Sequence, residues 1–125
     1  MRRVQVLNRN RALQLPLEVD YCASFLCKLR GLSWRRHLAP GHGLLMAEAG
    51  ESRLNTAIHM LGMAFDLSII WLDSDLRVVD VRPAWRWRSF LTPRKAARYV
   101  IECRLERLEE FQIGDQIELQ DILAA

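Results

Sequence analysis

Residues 58–81 read IHMLGMAFDLSIIWLDSDLRVVDV, and no other stretch restricts the fold as tightly. Apolar residues fill 67–72 and return through 76–81, with Asp73-Ser74-Asp75 between them. Two β-rich runs around a short polar turn specify an antiparallel hairpin, here one at the centre of its sheet. His59, an imidazole among apolar neighbours, stands at the hairpin entrance.

The flanking sequence supplies more short strands. Residues 4–7 and 12–17 enclose Asn8-Arg9-Asn10-Arg11, a polar turn whose asparagines tolerate a left-handed backbone, so a first hairpin is expected, with Pro16 ending its second strand or lying on an edge. Between residues 20 and 30 the period changes: Cys22, Phe25, Leu26 and Leu29 fall at i, i+3, i+4 and i+7, the stripe of a helix. Asp20 is placed to cap its start, Lys28 and Arg30 suit its negative end, and Gly31 suits its termination. Residues 32–43 read as loop, with Trp34 an anchor and Pro40-Gly41 a turn, and residues 43–46 begin another strand. Residues 47–55 are polar and irregular. Beyond the hairpin, residues 82–95 form an excursion bounded by Pro83 and Pro93, and 99–103 a strand. A short helix is expected near 105–111, and a last strand at 116–119 after Gly114-Asp115. Short strands, frequent turns and one good helix predict a mainly β, α+β fold: a compact antiparallel β-barrel or sandwich with helices at its side or end.

At 125 residues, half of them hydrophobic and about a quarter charged, the chain is expected to be one domain (1–125) with a single core. No run approaches the ~18 apolar residues of a membrane span. The start, MRRVQVLNRN, lacks a continuous apolar stretch after its arginines, so a secretory signal is not expected and the chain is assigned to the cytoplasm. Cys22, Cys27 and Cys103 are odd in number and lack a CxxC spacing, so three buried reduced thiols are expected. On a continuous helix Cys22 and Cys27 would stand about 140° apart, which argues against their acting together.

Leu29-Arg30-Gly31-Leu32, Leu38 with Pro40-Gly41 and Gly43-Leu44-Leu45, Ile58-His59, Gly62-Met63 and Phe65 are followed by Ile69-Ile70, Leu72-Asp73, Arg77-Val78-Val79, Arg82-Pro83, Ala97-Arg98-Tyr99-Val100 with Glu102, and Gly114-Asp115. In their order and spacing these pieces give the chain a resemblance to the bacterial and archaeal family catalogued as domain of unknown function 192 (DUF 192). It implies a β-rich fold with a helix near the N-terminus and implies no reaction. Three departures matter, one of them the absence of the usual Pro-Ala-Gly before the last helix. The family usually follows the equivalent of Phe65 with proline, an aliphatic residue and aspartate, where this chain has Asp66-Leu67-Ser68; Asp66, two residues earlier, keeps the same side of a strand and is a candidate stand-in. The family's turn tends to Asp-Gly, where this chain has Asp75-Leu76; because leucine disfavours positive φ, a rearranged turn is expected.

Candidate chemistry is sparse. His59 could act as a general base oriented by Asp66 or Asp80, the basis of an alternative reading as a hydrolase-like enzyme; a plain hydrogen-bonding role is the stronger reading. Nothing local supports a Cys103–His59 nucleophile pair. His37, His42 and His59 lack the spacing of a metal site, and Asp73-Ser74-Asp75 lacks the glycine and distal glutamate of a calcium loop, so no metal is expected. No phosphate loop or nucleophile elbow occurs, and no cofactor is expected.

The charge is more informative than its total of +3. Sixteen of the eighteen basic residues are arginine, and residues 82–98 hold six basic residues and no acid. Trp85-Arg86-Trp87-Arg88, with Arg82 and Arg98, is the richest candidate surface; if extended it would place the two tryptophans on one side and the two arginines on the other. Tryptophan and arginine are enriched in protein-binding hot spots. The segment could instead hold a small anionic ligand or, as a weaker alternative, single-stranded nucleic acid. The bland reading pins the tryptophans against the fold and leaves the arginines solvated. The combined expectation is a small non-enzymatic binding or accessory module that uses the His59 end of the central hairpin and the Arg/Trp segment 82–98.

Overall fold

A computed structural model describes residues 2–122. In chain order the strands are β1 (Arg3–Asn8), β2 (Leu17–Cys22), β3 (His42–Ser52), β4 (Ile58–His59), β5 (Leu67–Leu72), β6 (Val78–Ala84), β7 (Phe90–Leu91), β8 (Ala97–Arg104) and β9 (Ile117–Asp121). Seven of them form one curled half-barrel sheet in the spatial order β6-β5-β8-β3-β2-β1-β9, while β4 and β7 pair separately. All contacts in the large sheet are antiparallel except β2 with β3. This is the mainly β architecture expected from the sequence.

The β5–β6 hairpin is the one read from residues 67–81, and β5 is buried at all six positions. Such a strand packs apolar groups on both faces. One face carries Val6, Val19, Leu45, Ile70 and Ile101 into the interior of the half-barrel. The other carries Leu44, Leu67, Ile69, Trp71 and Val100 against an outer layer that includes Leu32, Ile58, Met60 and Met63. The Trp71 indole donates to the Thr56 carbonyl at 2.8 Å, which satisfies its one polar atom inside that layer. The outer strands approach where Arg77 bridges Gln116, and at the other end of β9 the Ile122 amide donates to the Arg3 carbonyl.

Several local expectations are corrected. The helix predicted over residues 20–30 is a six-residue helix, α1 (Phe25–Arg30), capped by Ser24 rather than Asp20. Asp20 and Cys22 lie in β2, drawn there by pairing with Leu44 and Met46. Gly31 does end the helix, at φ 52°. The apolar stripe exists but points outward: α1 buries none of its residues. With Cys22 on a strand and Cys27 on the helix, the two Cα atoms come within 5.7 Å and the cysteines form a disulfide that ties α1 to the sheet. The expected pair of reduced thiols is therefore wrong for these two; Cys103 alone is free and buried.

The first hairpin has its second strand at Leu17–Cys22, not at 12–17, with a longer loop between. β3 runs on to Ser52 through the stretch read as irregular, bending at a register shift after Ala47. The late helix is a 3-10 helix, Leu105–Glu110. The turn at Asp75-Leu76 is not rearranged: Leu76 adopts φ 63° itself. Asp73 Oδ1 accepts from the amides of Asp75 and Arg77, and the Leu76 side chain packs partly against the inner core, so the surrounding contacts hold the unfavourable backbone in place.

Candidate functional site

On the outer side of the sheet, three chain segments meet at residues 60–62. Each carbonyl of this short spine is used: Met60 accepts from the Trp87 amide (2.9 Å), Leu61 from the Ser33 hydroxyl (3.2 Å) and Gly62 from the Trp34 amide (2.9 Å). The spine thus holds the loop after α1 and the loop after β6 side by side. Their tips touch through Trp34 and Trp87, packed edge to face at 6.0 Å. Both tryptophans sit at positive φ, 68° and 64°. That conformation is rare for bulky residues and is found where surrounding structure enforces it, often at sites of function. Gly62, at φ 78°, lies under the Trp34 ring; a Cβ there would stand 3.0 Å from Trp34 Cε2.

Around this pair the surface is apolar. Trp34 is 73% exposed, Leu29 63% and Trp87 56%, with Phe25, Leu26, Leu61 and Phe90 also exposed. An open groove of about 460 Å³ runs between Leu29, Trp34, Leu61 and Trp87, with His59 on its wall. Leu29, Trp34, Leu61 and Trp87 thus form one exposed apolar patch along the groove. Arg30, Arg35, Arg36 and Arg88 stand on the same segments, all exposed.

The residues singled out from sequence divide. Segment 85–88 is not extended but turned, with the Trp85 amide on Ser89 Oγ and the Arg88 and Ser89 amides on the Trp85 carbonyl. Arg86 is engaged internally, its amide on Asp66 Oδ1 at 2.8 Å and its guanidinium on the Ala64 carbonyl. Arg82 pairs with Asp80, lies over the Trp71 ring and donates to the Thr92 carbonyl. Arg98 donates to the Glu48 carbonyl and lies over Tyr99. Of these four arginines, Arg88 is the one left outside such contacts among the described residues. His59 is exposed and stacks on Phe90 at 6.4 Å. Asp66 lines a different cavity and serves the Arg86 turn, and the two share no hydrogen bond among the described residues. Ser68, where the family aspartate is expected, is fully buried with its hydroxyl 3.0 Å from the carbonyls of both Arg104 and Leu105. His37 and His42 line one cavity and His59 others.

Glu102 went unremarked as a site residue. It lies on β8 between Leu44 of β3 and Ile69 of β5, 5% exposed, on the face that carries Val100. Alternation along residues 99–103 already places a carboxyl on an apolar face, which was the available signal. Burial without a compensating partner pushes its carboxyl up to about 7. The native state therefore holds this proton more tightly than the unfolded chain. The stability it confers is full below about pH 4.5 and is lost as the pH rises through 7. Glu102→Gln is expected to remove that dependence and to stabilise the protein at pH 8 by about 3 kcal/mol. Urea denaturation of both proteins from pH 4.5 to 8 checks this; parallel curves would show that Glu102 is solvated.

The sequence profile of DUF192, described as "Uncharacterized ACR", matches residues 6–119. The chain belongs to the DUF192 family. A UPF0127 protein of Thermococcus kodakarensis is 38% identical over 114 residues, covering 90% of this chain and 71% of the relative. A UPF0127 protein of Pyrococcus abyssi is 32% identical over 115 residues, covering 90% and 95%. Among solved structures, one from Sinorhizobium meliloti, named a "putative transcription regulator", superposes with a TM-score of 0.82 at 21% identity, covering 94% of this chain and 92% of that one. At that identity the likeness establishes a shared fold. Among the described residues no helix is long and apolar enough to cross a membrane.

Proposed function

We propose that this DUF192 chain is a non-enzymatic binding module that docks a short apolar, acid-flanked segment of a protein partner. The single observation behind this reading is that α1 buries none of its residues while Leu29, on its apolar stripe, lines one groove with the Trp34–Trp87 pair. A groove walled by a helix and aromatic loops suits the insertion of spaced apolar side chains, as when an amphipathic helix lies in a hydrophobic groove. Arg30, Arg35, Arg36 and Arg88 would steer acidic flanks toward it and oppose docking of a second, equally basic copy. With Arg82, Arg86 and Arg98 occupied within the fold, a phosphate-tracking role is the weaker choice, and the separation of His59 from Asp66 favours binding over hydrolysis.

Selection of displayed peptides on the immobilised protein tests this. Enriched peptides are expected to carry two or more apolar residues at helical spacing beside aspartate or glutamate, and to bind Leu29→Ser and Trp87→Ala at least tenfold more weakly. Equal enrichment on wild type and Trp87→Ala would overturn it. So would Trp87-dependent binding to vesicles containing anionic phospholipid with no peptide enriched, because that result assigns the surface to a membrane.

A further inference from the structure

Beneath α1, separated from the groove by a rim of Leu29, Arg30, Ser33 and His59, lies a second and smaller cavity of about 90 Å³. Glu102 faces it. The carboxyl lies under Gly31, with Oε1 3.8 Å from where a Cβ would stand, and no hydrogen bond or ion pair reaches it among the described residues. Its oxygens open onto the cavity rather than being sealed inside the protein, so they are within reach of whatever enters it. The other charges facing the cavity are already balanced or lie at its edge: Lys28 of α1 pairs with Glu48 of β3 at 2.9 Å, Arg30 is exposed at the rim, and His59 of β4 stacks on Phe90. Asn55, Thr56 and Ser33 add small polar groups, and Met46, Met63 and Val100 an apolar wall.

We infer that this cavity binds the head of a small primary ammonium compound, with the Glu102 carboxylate as its counter-ion. An ammonium group brings three hydrogen-bond donors and a positive charge to Glu102, which neither Lys28 nor Arg30 pairs with among the described residues. The volume restricts the bound head to a few heavy atoms, since a cavity of about 150 Å³ takes a six-carbon ring. The inference does not rest on the docking surface: the two share a rim, but Glu102 lines the small cavity and not the groove.

The test is amide NMR titration with n-propylammonium chloride at constant ionic strength, with n-propanol and sodium propionate as matched probes. Saturable shifts are expected at Gly31, Thr56 and residues 100–103 for the ammonium compound alone, with millimolar affinity, the range open to so small a ligand. Binding should tighten at least tenfold from pH 5.5 to 8 as Glu102 ionises, keep that dependence in His59→Asn, and lose both the dependence and at least tenfold in affinity in Glu102→Gln. Equal binding to Glu102→Gln, absence of saturable shifts, or a preference for propionate that grows as pH falls would each overturn it. The pH series on the wild-type protein decides the matter even if a variant is poorly folded.

Discussion

Arg107→Met is expected to lower the unfolding free energy by about 3–5 kcal/mol, the cost of breaking a buried ion pair by removing one partner. The guanidinium is 3% exposed and holds three parts of the chain together. Its Nε and Nη2 grip the two oxygens of Glu110 on the 3-10 helix, at 2.8 and 3.1 Å. Its remaining donors reach the carbonyls of Leu15 and Pro16 in the loop before β2 and of Pro40 in the loop before β3. Methionine fills much of the volume but leaves Glu110 charged and these carbonyls unpaired. Adding Glu110→Gln should restore part of the loss but not all, because the carbonyls stay orphaned. A double-mutant cycle by urea denaturation measures this, and a loss below about 1 kcal/mol for Arg107→Met would show that water replaces the guanidinium at little cost.

Gly43→Ala is expected to be similarly damaging, for a steric reason. Gly43 lies on β3 between β2 and β8, and a Cβ there would stand 2.4 Å from the Glu102 carbonyl oxygen and 3.2 Å from Val19 Cγ1. The obstacle is backbone, not a side chain that can rotate away, so adjacent central strands must part by several tenths of an ångström. Such overpacking costs about 3 kcal/mol or more when no flexible atom can yield. Gly50, later on the same strand, has nothing within 4 Å of a Cβ and provides the control; Gly50→Ala should be near neutral. Equal stability of the two variants would show that the β3–β8 contact is looser than described. Because the displaced atom belongs to Glu102, Gly43→Ala should also disturb amide shifts around the small cavity.

The sequence made the scaffold legible where one local signal sufficed. Residues 67–81 carry apolar groups at both parities around an acidic turn, and they fold as that pattern requires. The helix shows the limit of periodicity: Cys22, Phe25, Leu26 and Leu29 have helical spacing, but spacing cannot say what lies opposite. Pairing of β2 with β3 takes Cys22 into the sheet, and among the described residues nothing covers Phe25, Leu26 or Leu29. The disulfide was hidden by the same error, since its geometry exists only when the helix starts after Cys22. The Trp34–Trp87 contact joins residues 53 apart in sequence through hydrogen bonds to a spine that belongs to neither, and no local pattern encodes it. Glu102 is the intermediate case: alternation buries it, whereas its lack of a partner emerges only from the assembled layer.

The position of β1 between β2 and β9 has a kinetic consequence. Its pairing with β2 closes a loop of modest length and can form early. Its pairing with β9 joins residues about as distant as the described chain allows, from Val4 with Asp121 to Asn8 with Ile117. Loop-closure entropy for that ladder is lost before its contacts repay it, which makes it a late event in folding. Since Arg3 and Ile122 already touch, joining the chain between these two residues would turn this most distant ladder into a local hairpin, and a chain reopened near the exposed Leu54 would meet the same sheet by a faster route.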